Sequence, residues 1–266
     1  MLICDFHVHT NISRDAQSPI EEYAAAFDSG ACALIGLTEH IDFHPNCGSY
    51  GYVDFARYRE TVRSFQRAGY NMLYAAEIDY VPSCSGEIRQ HLQAYDYAYT
   101  IGSVHMIGGQ SISSGALAAC PPDGPELLAL MRGYHEAMVD MINSGLFDVV
   151  GHVGIYRRYL YDIIRRAGLW DYALQSDAEL AGLCAQSGVI VEINTSGLFS
   201  PYGEMLPDEI FIKTFLEAGG TRLTVGSDAH KSAHLCRGFD RVAQCLKSLG
   251  VMSVINPTNG EEIRIN

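Results

Sequence analysis

The chain has 266 residues, 48% hydrophobic and 18% charged: enough apolar material for one sizeable core, with no Pro/Ser/Gly-rich linker or charge block to divide it. With 18 Lys and Arg against 31 Asp and Glu, the formal charge of −13 argues against nucleic acid as the main partner, and no apolar stretch reaches the roughly 18–20 residues of a membrane span. Eight cysteines lie without C-x-x-C spacing and Met1 leads directly into a strand-like run, so the expected setting is the cytoplasm, with reduced thiols.

In chain order, a strand is predicted over residues 2–6. Ser18, Pro19 and Glu21 then mark a capping-box start with proline at the first helical position, and Gly30 ends that helix. A strand over 33–37 precedes a helix over 54–68 that stops at Gly69, and strands over 72–76 and 97–103 follow. The next helix, 125–144, ends at Gly145 and leads to a strand over 147–151. A helix over 176–187 starts with a cap at Ser176 and ends at Gly188, before a strand over 189–193. Helix 207–218, strand 222–226 and helix 240–249 complete the alternation, with a terminal hairpin expected within 251–266. Most of the strands are continuous apolar runs, the pattern of parallel strands covered on both faces. Seven strands alternating with helices imply an open doubly wound sheet or a closed barrel.

The histidines and carboxylates favour the barrel, because they fall at nearly every strand end, whereas an open sheet gathers its site at one switch point. His7-Val8-His9 places two imidazoles at i and i+2, on one side of an extended backbone, where both reach one ion. Gly226-Ser227-Asp228-Ala229-His230 repeats this after the last strand, with the glycine read as a tight turn. Between them, Glu39-His40 follows the second strand, Glu77 the third, His105 the fourth and His152 the fifth. Any one of these is as readily a surface or capping residue; six imidazoles at strand ends together point to a multi-metal site. Glu77, at the end of an apolar run, is the bridging candidate, since a buried unpaired charge is costly. His44, His91 and His135 read as solvated, and His234 as a residue behind the ligands or merely near them.

These residues in this order resemble the polymerase-and-histidinol-phosphatase (PHP) family, and within it the monofunctional histidinol-phosphate phosphatases. The matching pieces are Asp5-Phe6-His7-Val8-His9-Thr10 with Ser13 and Asp15, Thr38-Glu39-His40, Glu77, Ile101-Gly102-Ser103-Val104-His105, Gly151-His152, Glu192-Ile193-Asn194-Thr195-Ser196-Gly197 and Gly226-Ser227-Asp228-Ala229-His230. The resemblance implies a single domain over 1–266, a distorted (β/α)7 TIM-like barrel with a trinuclear site at the C-terminal face of its strands. Carried onto this chain, it implies that His7, His9, Glu77 and Asp228 hold one divalent ion, Glu77, His105 and His152 a second, and Asp15, His40 and His230 a third. Zn, Fe and Mn all suit mixed imidazole and carboxylate ligation, and an aspartate at position 15 leans toward Mn or Fe.

The chemistry implied is hydrolysis of a phosphate monoester by a hydroxide held between two metals, whose pKa the ions lower. Asp228, Glu77 and His230 are the catalytic candidates, with Asp228 or a metal-bound water protonating the leaving alkoxide. For the phosphate, Arg158 is the first choice and Arg157 the alternative, a guanidinium pairing bidentately with its oxygens, while an exposed basic helix start is the competing reading. Phe199 stands where the family's phosphatases usually carry a second arginine; Arg14 is a candidate replacement. The segments 42–53 and 83–93 are expected to shape the substrate cavity, with Tyr50, Tyr52, Tyr156 and Tyr202 lining it. The first reading is thus an L-histidinol-phosphate phosphatase of histidine biosynthesis. The alternatives are a phosphoesterase for another small phosphorylated metabolite and a non-catalytic metal-binding module; a proofreading exonuclease fits poorly with the charge.

Overall fold

The computed structural model describes residues 3–265, so the predicted strand start at Leu2 lies outside the described residues. Seven parallel strands run in the order of the chain: β1 (Cys4–Val8), β2 (Leu34–Asp42), β3 (Met72–Asp79), β4 (Thr100–Ser103), β5 (Val149–Val150), β6 (Ile190–Asn194) and β7 (Leu223–Gly226). The last returns to the first just past their C-terminal ends, where Val8 bridges Ala229 in parallel, Asp228 N–H donates to His7 O at 2.8 Å and His9 N–H to Ala229 O at 2.9 Å. The sheet is therefore a nearly closed (β/α)7 TIM-like barrel, tied shut at the end that carries the histidines.

Among the described residues, eight main helices wrap it: α1 (Ile20–Asp28), α2 (Phe55–Arg67), α3 (Ser85–Ala94), α4 (Gly124–Ser144), α5 (Arg157–Arg166), α6 (Trp170–Ser187), α7 (Glu209–Glu217) and α8 (Phe239–Ser248). The ends of α4 follow their local chemistry. Asp123 and Glu126 form a reciprocal capping box, and Gly145 closes the helix in the left-handed region at φ 60°. Its buried stripe, including Leu127, Met131, Tyr134, Met138 and Met141, recurs at helical spacing and packs into the largest core cluster. The box expected at α1 does not form: Pro19 is its N-cap, and Ser18 Oγ instead bonds Glu22 and accepts from Ser232 N–H at 3.0 Å, tying α1 to the loop after β7. Helix α6 begins six residues before the predicted Ser176 cap; Ser176 is buried on its inner face.

Inside the barrel, Phe6, Tyr99, Ile101, Val149 and Ile190 form a small closed cluster. Tyr99 lays its ring across this interior and donates its hydroxyl to Phe6 O at 2.6 Å, a path that a Cβ on Gly36 would block. A packed floor under the C-terminal mouth follows, as in other barrels. The tail makes the expected hairpin, Ser253–Ile255 against Glu262–Arg264.

Candidate metal centre

Glu77 is the hub of the mouth. It is 1% exposed, two residues before the end of β3, and its two oxygens face different neighbours. Oε2 lies 3.4 Å from His7 Nε2 and 3.5 Å from His9 Nε2, while Oε1 lies 2.7 Å from His152 Nε2 and 3.4 Å from His105 Nε2. His9 Nε2 is also 3.1 Å from His7 Nε2 and 3.3 Å from Asp228 Oδ1, and His105 Nε2 is 3.2 Å from His152 Nε2. A third group stands at the rim: Asp15 Oδ2 is 3.5 Å from His40 Nε2 and 3.4 Å from His230 Nε2, and the two imidazole nitrogens are 3.4 Å apart. The structure thus brings all nine sequence candidates to one mouth, but as overlapping clusters and not three separate sets: His40 Nδ1 is 2.8 Å from Glu77 Oε2, and His9, His40 and His230 also converge.

These spacings suit divalent metals. Four ligand atoms about 2.0–2.1 Å from a tetrahedral ion sit about 3.3–3.4 Å from one another. Neutral imidazoles converging nitrogen to nitrogen gain little from each other, whereas a cation between them satisfies every lone pair. Glu77 Oε2 is buried and makes no well-directed hydrogen bond, although His40 Nδ1 lies 2.8 Å from it, and ligation would satisfy it. Burial opposes ionisation of Glu77 and of Asp228, but the surrounding imidazoles, His7 foremost, outweigh it and hold both carboxyls well below the usual range.

Backbone conformation places these groups. Glu39, His40 and Glu77 lie within β2 and β3, not after them, because those strands pair in register as far as Asp42↔Asp79. Gly226 is likewise inside β7; a Cβ there would overlap Glu192 Oε1 and the Cβ of His7, so close approach rather than a turn requires the glycine. The left-handed residue is Asp228 itself, at φ 54°, a cost of about 1–3 kcal/mol that the β1–β7 closure bonds hold in place.

A second layer of carboxylates orients the ligands; Asp5, Glu39 and Glu192 stand in the motifs above without a role, and Asp79 stands in none of them. Glu192 Oε1 accepts from His7 Nδ1–H at 2.6 Å, which leaves the His7 Nε2 lone pair for the centre, and Oε2 accepts from His152 N–H at 2.8 Å. Asp79 Oδ1 accepts from His105 N–H at 2.7 Å. Asp5 accepts from Ser227 N–H at 2.9 Å and from Cys236 N–H at 2.9 Å, fixing the loop after β7, and burial pushes its carboxyl up to about 6. Glu39 accepts from Thr10 and Ser13, clasping the turn after His9. The signal for all four was a carboxylate inside an apolar strand, which must have a partner.

Burial also pushes Glu39 from an ordinary 4.5 up to about 7, although the bonds from Ser13 and Thr10 oppose it. A folded-state value above the unfolded one means that the folded chain holds the extra proton, so this group removes stability as pH rises from 4.5 to about 7. In metal-free protein, Glu39→Gln is expected to gain on the wild type across that window, by at most about 1.4 kcal/mol per pH unit. Denaturant unfolding at the two ends of the window measures this; a difference independent of pH contradicts it.

Above the ligands opens a cavity of ≈ 750 Å³, and Arg14, Arg158, Tyr159, Phe199 and Arg237 stand on its wall. Arg158 Nη1 lies 3.6 Å from Asp228 Oδ2, so this guanidinium borders both ligands and cavity. Arg14 is exposed at the rim and donates to Gly48 O. Arg157, the alternative phosphate contact, is elsewhere: one position along α5 turns it inward, where it is fully buried, 2.6 Å from Asp177 and 3.5 Å from Asp208. That side chain braces α5 against α6 and cannot meet a substrate. Of the predicted loops, 42–53 contributes Cys47, Gly48 and Ser49 to the wall, but 83–93 is largely helix α3 on the outside, and Ser111, Ser113 and Ser114 stand in its stead. The four tyrosines do not line the cavity either; Tyr156 and Tyr202 are buried, Tyr50 and Tyr52 exposed. His91 is not solvated: it packs among Phe43, Phe55, Tyr95 and Tyr97, and burial lowers it to about 4. His135 is held 3.2 Å from Glu179, and His234 lines the cavity. All eight cysteines are free thiols, and among the described residues no helix is long and apolar enough to cross a membrane.

Comparison with known proteins places this geometry in context. Residues 5–196 match the family model described as PHP domain. The chain is 28% identical over 258 residues to a "Probable histidinol-phosphatase" of Deinococcus radiodurans, covering 93% of this chain and 92% of that one. A "Probable histidinol-phosphatase" of Thermotoga maritima is 27% identical over 217 residues, covering 78% of this chain and 91% of the relative. Among solved structures, the histidinol phosphate phosphatase of Lactococcus lactis, complexed with Zn, L-histidinol and phosphate, shares the fold, with a TM-score of 0.81 at 19% identity over 99% of this chain and 100% of that one.

Proposed function

Because the chain belongs to the PHP domain family, we propose that it is a metal-dependent phosphomonoesterase that converts L-histidinol phosphate and water to L-histidinol and phosphate. One observation carries the reading: nine ligand-type side chains converge in overlapping clusters beneath a cavity that has a guanidinium on its wall. The names of the relatives and the ligands of the Lactococcus lactis enzyme support the substrate. The whole chain, 1–266, is one barrel domain on this reading, and its free thiols suit the cytoplasm.

His7, His9, Glu77 and Asp228 would hold one divalent ion, Glu77, His105 and His152 a second, and Asp15, His40 and His230 a third, drawn from Zn, Fe and Mn. Bound ions supply an activated water and neutralise charge on the phosphoryl oxygens. The chain does the rest. Arg158 offers two parallel N–H groups to the phosphate and anchors it against the wall. Asp228 presents Oδ1 to His9 and Oδ2 to Arg158, so one carboxylate serves both ligand group and substrate wall. Held ionised, Asp228 Oδ2 accepts a proton from the attacking water and returns it to the leaving alkoxide. Glu77 keeps the first two groups in register.

Arg158→Ala is expected to raise KM roughly 10- to 100-fold, the worth of charge-assisted bonds, with a smaller change in kcat. A KM within twofold of wild type would remove Arg158 from the phosphate site. The substrate is tested by comparing histidinol phosphate with a panel of small sugar and nucleoside monophosphates by phosphate release. Histidinol phosphate is expected to give the highest kcat/KM; a better substrate elsewhere in the panel favours the second reading, another small phosphorylated metabolite, which Phe199 in place of the family's arginine keeps open.

A further inference from the structure

Phe199 ends the 3₁₀ turn Ser196–Phe199 after β6, 48% exposed on the cavity wall. Arg237, on the loop after β7, places its guanidinium carbon over that ring, 3.3 Å from the centroid. This is close cation–π contact, and among the described residues the guanidinium donates no hydrogen bond to the protein, so its N–H groups are free for a ligand. Arg237 is exposed and lines the same cavity as Arg158, Ser196 and Asp228, and its side chain makes no ion pair among the described residues.

The backbone around Arg237 is fixed from three sides. Thr195 Oγ1 donates to Arg237 O at 2.6 Å, Cys236 N–H donates to Asp5 at 2.9 Å, and Arg237 N–H donates to His234 O at 3.1 Å. Gly238 follows at φ 83°, where a Cβ would crowd Leu198 and Phe199. Such a mount is built for an unpaired cation: Thr195, just past β6, and Asp5 of β1, through Cys236, hold the main chain, and an aromatic face fixes the head group.

We propose that Arg237, stacked on Phe199, is a substrate-binding residue that grips the phosphate opposite Arg158. Phe199 is the platform on which its head group is held. Pre-ordering the guanidinium on the ring lowers the entropy lost when the phosphate binds. The assignment rests on reading the cavity as a phosphomonoester site.

The probe is inorganic phosphate, measured as an inhibitor and by calorimetry on the metal-loaded enzyme. Arg237→Ala should weaken phosphate binding about 10- to 100-fold with unchanged metal content and melting temperature, and should raise KM more than it lowers kcat. Arg237→Lys, which keeps the charge but not the planar edge, should recover only part of this, and Phe199→Ala should cost roughly 2- to 30-fold. Adding Phe199→Arg to Arg237→Ala should bring affinity back to within a few-fold of wild type, a rescue that a merely structural role would not permit. If wild type cleaves monoesters and Arg237→Ala keeps its phosphate affinity, the assignment is overturned and the phosphatase reading stands. If the metal-loaded wild type binds no phosphate and cleaves no monoester, the phosphatase reading falls, and the assignment with it.

Discussion

Glutamine in place of Glu77 is expected to empty the centre and end turnover together. Glu77 spans two ligand groups, with Oε2 toward His7 and His9 and Oε1 toward His105 and His152, so its charge is shared by both proposed ions. An amide keeps the shape but removes that charge and turns one oxygen into a donor facing imidazoles and cations. Removing one partner of a buried charged set costs about 3–5 kcal/mol. At about 1.4 kcal/mol per decade, this is a loss of roughly 10²- to 10⁴-fold in metal affinity, with turnover falling at least as far. Metal content after dialysis and phosphate release together measure it; a variant that keeps both contradicts the bridging role.

The second large effect separates two adjacent arginines. Arg157→Ala should destabilise the fold by about 3–5 kcal/mol, because Asp177 and Asp208 are then left as buried carboxylates without their cation. The expected observation is a marked drop in melting temperature with KM unchanged in the folded fraction, the reverse of Arg158→Ala. Replacing Asp177 by asparagine as well should return part of the loss, since the stranded charge is removed. A stable Arg157→Ala enzyme with an elevated KM would put Arg157, not Arg158, at the phosphate.

The contrast also shows what a linear chain discloses. The barrel was legible because buried parallel strands are continuous apolar runs, and the ligands because they interrupt those runs at their C-terminal ends. Strand lengths were not, since Thr38 to Asp42 and Glu77 to Asp79 continue the ladder with mostly polar side chains, where pairing rather than hydropathy decides. Helix α5 escaped because its inward stripe of Leu160 and Ile164 is short and begins with the buried Arg157. Nothing in the pair Arg157-Arg158 says which one turns inward; about 100° of helical rotation separates them, and only the positions of Asp177 and Asp208 settle it. Glu192 and Asp5 were visible as carboxylates in apolar strands, but their partners His7 and Ser227 lie far off in the chain. Arg237 gave no sign at all, because its value comes from a ring on a different loop.

The central claim is that nine convergent side chains form a multi-metal hydrolytic centre, and metal stoichiometry followed through chelation and reconstitution tests it most directly. The account predicts three divalent ions per chain, lost on chelation together with phosphate release and regained with it when Zn or Mn is restored. Fewer than two ions per chain, with no monoester turned over at any loading, would contradict it.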